Sequence, residues 1–78
     1  MTDDTAEKIF GIVARTFGLE PSELSNSTTA DDIDGWDSLS HATLLIRIEK
    51  AFNIDLDMSA ANQAQDLGAL IDLVRAAQ

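Results

Sequence analysis

Ser38-Leu39-Ser40-His41-Ala42-Thr43-Leu44-Leu45-Ile46-Arg47-Ile48-Glu49-Lys50-Ala51-Phe52 is the run that decides the fold. Advanced at about 100° per residue, it gathers His41, Leu44, Leu45, Ile48 and Phe52 on one face. Leu39, Thr43, Ile46 and Lys50 point the opposite way. Nothing in the run alternates as a half-buried strand would. Asp37 stands directly before it, where a carboxylate accepts from the first free backbone N–H groups of a helix. Trp36 precedes the cap and is placed to pack on His41, four residues in, as a hydrophobic staple. The spacing predicts an amphipathic helix over about 38–52, beginning at Ser38.

Two further segments carry the same period. From about Asp4 to Phe17, the residues Ala6, Ile9, Phe10, Val13 and Phe17 form an apolar stripe. Gly18 supplies the stop, with Pro21 three residues on. From about Asp66 to Ala76, the residues Leu67, Leu70, Ile71 and Val74 repeat at helical spacing behind Asp66, a second cap candidate. Between the last two helices, Ser59 to Ala64 suits one or two short helical turns. The prediction is an all-α domain over residues 1–78: a small bundle of three main helices plus one short helix. Its core should hold Phe10, Val13, Phe17, Leu44, Leu45, Ile48, Phe52, Leu67, Ile71 and Val74. Gly18 to Asp37 is a stretch of about 20 residues without periodicity, a length that usually signals function or disorder. Leu19, Leu24 and Ile33 are its anchors to the helices.

Composition narrows the classes of function. The 78 residues carry 14 acidic and 5 basic side chains, a net charge of −9. That charge makes nucleic acid and anionic membrane surfaces poor partners and favours basic protein patches. No apolar run approaches the roughly 20 residues that span a bilayer. The acidic start Met1-Thr2-Asp3-Asp4 is unlike a secretory or transit leader. There is no cysteine, so no disulfide framework and no thiolate metal site is expected. A chain without thiols suits the cytoplasm.

Ser38 is the residue where chemistry is expected. As the first helical residue after a cap, its hydroxyl is exposed on a rigid platform. It also sits at the positive end of a helix dipole, where a phosphate is favoured. The same Asp-Ser pair equally suits a routine helix start.

The wider context separates the two. Gly35-Trp36-Asp37-Ser38-Leu39, followed by Leu44 to Phe52 with Glu49 and Phe52 in a Glu-x-x-Phe pattern, resembles the acyl and peptidyl carrier protein family. Phe17-Gly18-Leu19 is similar to that family's first helix stop, and Asp66 to Val74 to its last helix, so the likeness covers nearly the whole chain. The resemblance implies a four-helix fold of the acyl carrier type. It implies phosphopantetheine, transferred from coenzyme A to the serine of the Asp-Ser-Leu motif, here Ser38 between Asp37 and Leu39. It implies a carrier and not an enzyme. The arm would reach about 18 Å, judged against extended chain, and hold cargo as a thioester for delivery into partner sites. The partners implied are a phosphopantetheinyl transferase, a loading ligase or acyltransferase, and downstream biosynthetic enzymes, met by a monomer.

Rival readings of the same residues are weaker. A catalytic pair of Ser38 and His41 would still need an orienting group, an oxyanion hole and a pocket. Gly-Trp-Asp-Ser-Leu is also not a nucleophile elbow. Asp32-Ile33-Asp34-Gly35 mimics part of a calcium loop, but the first and twelfth positions would be Ala30 and His41, which lack side-chain oxygen donors. An unmodified helical interaction module is the alternative of another class. The chain also departs from carriers of fatty-acid synthesis, the alternative within the family. Their second helix is acidic along its partner face, whereas this one carries Arg47 and Lys50 there. The negative charge lies instead at Asp31, Asp32, Asp34 and Asp37. Tryptophan before Asp-Ser-Leu is similar to carriers of polyketide, nonribosomal-peptide and aminoacyl pathways. Leu39, Thr43, Ile46, Arg47 and Lys50 are the expected partner contacts, with acidic groups of the partner opposite the two cations.

Overall fold

A computed structural model describes residues 4–78. Met1, Thr2 and Asp3, on which the leader reading largely rests, lie outside that range. Four helices follow one another: α1 (Thr5–Phe17), α2 (Ser38–Phe52), α3 (Met58–Gln63) and α4 (Leu67–Ala77). Two short 3-10 turns, Pro21–Glu23 and Ala30–Asp32, interrupt the long connection between α1 and α2. No strand is present among the described residues. α1 packs against both α2 and α4, and α3 packs on α4. No helix of the described residues is long and apolar enough to cross a membrane.

Local chemistry sets the helix ends. The Asp37 carboxylate accepts from the Ser40 amide at 2.9 Å and Asp66 from the Ala69 amide at 2.9 Å, so both sequence-derived caps are in place. Asp57 caps α3 by accepting from the Ser59 and Ala60 amides, which starts that helix at Met58, one residue before the sequence reading. α1 ends on Gly18 in the left-handed region at φ 71°, a conformation that strains any residue with a Cβ. Both 3-10 turns are closed by reciprocal capping boxes, Glu20 with Glu23 and Thr29 with Asp32.

The core is aliphatic. Ile9, Val13, Leu44, Leu45, Ile48, Leu67, Leu70, Ile71 and Val74 are all fully buried. Each contributes roughly 1.5–3 kcal/mol on removal from water. Ile33, Leu56 and Ala61 complete the cluster from outside the main helical stripes. The expected core is corrected at its aromatic members: Phe10, Phe17 and Phe52 are only half-buried and pack against the cluster's edge. Their stripe position is right, but a phenyl ring on a helix of this small bundle reaches past the aliphatic centre to its rim.

The loop before α2 is fixed from the far side of the molecule. The Leu67 amide donates to the Thr28 carbonyl at 2.9 Å and the Gly68 amide to the Asn26 carbonyl at 2.8 Å. The first turn of α4 therefore spends two of its free donors on the segment that leads to Ser38. Ile33 is buried, and Leu19 and Leu24 pack against the cluster as the expected anchors.

Candidate functional site: the start of α2

Ser38 is the first residue of α2 and is exposed. The backbone around it is held by a compact set of bonds. Asp37 is extended and caps the helix, and the Ser40 hydroxyl donates back to the Gly35 carbonyl at 2.8 Å. The Ser40 amide, with the Ser40 hydroxyl and the Leu39 amide alongside, holds the Asp37 carboxyl below its ordinary value. Asp37 is thus an anion locked to the backbone one residue before the serine.

Behind this platform stands an aromatic stack. The Trp36 and Phe17 rings lie 5.1 Å apart between centroids, and Trp36 and His41 lie 6.0 Å apart, both stacked. The indole N–H of Trp36 donates to Nδ1 of His41 at 3.1 Å. The expected staple is present and is a hydrogen bond as well as a packing contact. With Nδ1 accepting, the proton of the neutral imidazole is on Nε2, which is buried without a partner. His41 is committed to Trp36 and makes no hydrogen bond to Ser38.

An open cleft of about 780 Å3 lies beside Ser38. Trp36, His41, Leu45 and Ile46 line one side, Met58 and Ala64 the other, with Leu70 also in its lining. Sequence periodicity gave no sign of this space, because it arises where α3 stands away from α2. In its lining Ile46 is 48% and Met58 40% exposed, and Leu39, the residue after Ser38, is 78% exposed.

The other expected contact residues fall as follows. Arg47 and Lys50 are exposed, and Thr43 is half-buried with its hydroxyl donated to the Leu39 carbonyl. Asp31, Asp32 and Asp34 are exposed in the loop before the site. Among the described residues no group of three or more His, Asp or Glu side chains is placed to hold a metal ion.

A covalent phosphodiester fits this arrangement. It needs an exposed hydroxyl, a positive helix end for the phosphate and room for the arm. Ser38, the start of α2 and the adjoining cleft provide the three.

The comparisons with known proteins agree. Residues 7–74 match the family described as phosphopantetheine attachment site. An acyl carrier protein of Shigella flexneri is 38% identical over 69 residues, covering 88% of each chain. One from Guillardia theta is 31% identical over 68 residues, covering 87% of this chain and 84% of the relative. The solution structure of holo acyl carrier protein from Geobacter metallireducens superposes with a TM-score of 0.84 at 31% identity, covering 96% of this chain and 86% of its own. With the all-helical order and the match over most of its length in agreement, the chain belongs to the acyl carrier protein family, whose covalently attached group is phosphopantetheine.

Proposed function

We propose that Ser38 receives phosphopantetheine and that the protein carries acyl or aminoacyl intermediates between enzymes of a specialised biosynthetic pathway. The observation that carries the reading is Ser38 itself: an exposed hydroxyl at the first position of a capped fifteen-residue helix, beside a cleft. When bound, the group supplies the thiol that the cysteine-free sequence lacks, and with it thioester chemistry. The chain's own residues do the rest. Asp37 and the Gly35–Ser40 bond hold the serine's backbone still, and the helix end offers the phosphate a favourable potential.

A carrier role rather than catalysis is supported by His41. Its Nδ1 is taken by Trp36 and its Nε2 is buried, so the imidazole is not placed to act as a base for Ser38. Within the carrier reading, Asp37 and Leu39 complete the modification motif. Leu39, Thr43, Ile46, Arg47 and Lys50 form the surface met by a phosphopantetheinyl transferase, a loading ligase or acyltransferase, and later enzymes. The exposure of Leu39 and Ile46 supports them as apolar anchors of moderate strength. Residues 1–78 then act as one monomeric, cytoplasmic carrier domain.

Service in fatty-acid synthesis is the second reading. It is favoured by the plain acyl carrier relatives, whereas the cations on α2 and Trp36 before the motif favour the specialised one. Incubation with coenzyme A and a phosphopantetheinyl transferase, read by intact mass, tests the site. Wild type should gain one phosphopantetheine, and Ser38→Ala should fold and gain none. Uptake by Ser38→Ala would refute the assignment. The intact mass of the protein from its native host then reports the cargo and separates the two pathways.

A further inference from the structure

The basic residues of this acidic chain are not scattered. α1 and α2 hold four of its five cations, Lys8, Arg15, Arg47 and Lys50, against two carboxylates, Glu7 and Glu49. The rest of the sequence holds one cation against twelve carboxylates. Lys8, Ile12 and Arg15 recur at i, i+4 and i+7 and share one face of α1, while Arg47, Lys50 and Ala51 share one face of α2. The two faces meet: Ile12, Arg15, Arg47, Lys50 and Ala51 line a shallow groove of about 330 Å3. It lies on the far side of α2's run from Ser38, with Arg47 roughly 13 Å along the helix axis from the serine.

Lys8 lies over the Phe52 ring, 5.7 Å from its centroid, and the other three cations have no anionic partner within the described fold. Among the described residues, no carboxylate lies within ion-pair distance of Arg15, Arg47 or Lys50, and the ion pair that forms is Arg75 with Asp72. Arg47 donates to the Thr16 hydroxyl at 3.3 Å, and that hydroxyl donates in turn to the Ile12 carbonyl, so the guanidinium is steered over the groove by a neutral group. Helix-dipole complementation explains Arg15 and Lys50, each in the last turn of its helix. It does not explain Arg47, which lies five residues before the end of α2. Gathering like charges around one groove costs stability, and no carboxylate among the described residues pairs with Arg15, Arg47 or Lys50 to offset it.

We infer that this groove extends the docking surface of Arg47 and Lys50 onto α1, and that it is occupied by a short acidic segment of a partner enzyme that lays two or more carboxylates between α1 and α2. Charge decides the kind of occupant. A polyanion such as nucleic acid, or an anionic membrane, meets the field of the whole molecule, which is −9, and is repelled over a Debye length. A compact carboxylate segment feels the nearby cations of the groove more strongly than the distant Asp31–Asp37 loop. A second copy of this chain brings another −9. The inference rests on the carrier reading in one respect: the partner is an enzyme that serves Ser38. Arg15 is its distinctive residue, because it lies on α1, away from the apolar surface beside the serine.

The test uses the full holo protein, labelled with 15N, and a soluble peptide of repeated Glu-Ala-Ala-Glu at low salt. Saturable shifts should concentrate at amides of residues 12–16 and 47–51. The Gln-for-Glu peptide should cause none. Arg15→Glu with Lys50→Glu should weaken binding by about tenfold or more, as should physiological salt in part. Both residues are exposed, and an unchanged circular dichroism melt verifies the fold of the variant. Three results overturn the inference. The first is shifts that are absent, lie elsewhere or survive charge reversal. The second is equal competition by inorganic phosphate, which would make the groove a simple anion site. The third is concentration-dependent self-association in sedimentation that the double variant abolishes, which would make the occupant a second copy. Repeating the titration on Ser38→Ala separates the two readings: peptide binding should persist there while pantetheinylation is lost.

Discussion

Two glycines sit inside helices of this protein, and the same substitution should move stability in opposite directions at each. Gly11 lies in the middle of α1, and a Cβ built there meets nothing within 4 Å. Gly11→Ala gains helix propensity alone, about 0.8–1 kcal/mol. Gly68 is the second residue of α4. A Cβ there would lie 3.1 Å from the Asn26 carbonyl oxygen and 3.2 Å from the Asn26 Cβ. Both distances fall short of the 3.4 Å at which ordinary contact begins. Asn26 cannot retreat freely, because its carbonyl accepts from the Gly68 amide at 2.8 Å and the neighbouring Thr28 carbonyl from Leu67 at 2.9 Å. Overpacking costs about 1–3 kcal/mol and a weakened hydrogen bond about 1 kcal/mol. Against a propensity gain of about 1 kcal/mol, Gly68→Ala should lose about 1–3 kcal/mol. At about 4–8 °C per kcal/mol for a domain of this size, Gly11→Ala should melt higher and Gly68→Ala lower than wild type. Circular dichroism melts and urea titrations read both, and transferase kinetics on Gly68→Ala read whether the loop's displacement reaches Ser38. A Gly68→Ala protein as stabilised as Gly11→Ala would refute the reasoning, since it would show that the loop yields without resistance and is not held by α4.

Other outcomes are open to measurement. Ile48→Ala empties a fully buried site and should cost about 2–5 kcal/mol in urea unfolding, more than Phe52→Ala, whose ring is half-buried; the reverse order would contradict the aliphatic core. Asp37 has its folded value depressed by the Ser40 amide, so its contribution is complete above the ordinary value of 3.8 and lost as pH falls through the lower one. Asp37→Asn keeps a capping oxygen but should show a flatter acid limb than wild type, with no difference in slope from pH 7 to 5; identical acid limbs would refute the capping role of the charge. Trp36→Phe and His41→Leu each orphan one partner of the indole–imidazole bond and should cost about 1–3 kcal/mol, while the double variant should cost less than their sum; strict additivity would mean the bond contributes nothing.

Much of this fold was legible because its evidence is local and repeated. α2 and α4 announce themselves twice, by an apolar stripe and by an aspartate at the cap, and both caps are made. Ser38 is legible for the same reason, since a capped helix start places its first side chain in solvent. Periodicity tells which face of a helix turns inward but not how deep the core runs, so the three phenylalanines were assigned to a centre that Ile9, Leu70 and their neighbours fill. Leu56 and Ala61 joined the core without a readable pattern, because residues outside the long stripes have no period to betray them, whereas Ile33 was readable as an apolar anchor in a polar loop. The 3-10 turns depend on reciprocal side-chain bonds spanning three residues, a signal too short to stand out in a sequence. The cleft beside Ser38 and the basic groove depend on how helices lie against one another, which no single segment encodes.

Trp36 is the protein's one tryptophan, and it stands at the site, stacked on Phe17, bonded to His41 and lining the cleft beside Ser38. Its fluorescence is therefore a signal from one address. Emission reads the surroundings of the cleft, while far-ultraviolet circular dichroism reads all four helices together. A carrier in different loading states can then be followed without a label, by a chromophore that evolution has already placed beside Ser38, the proposed attachment point.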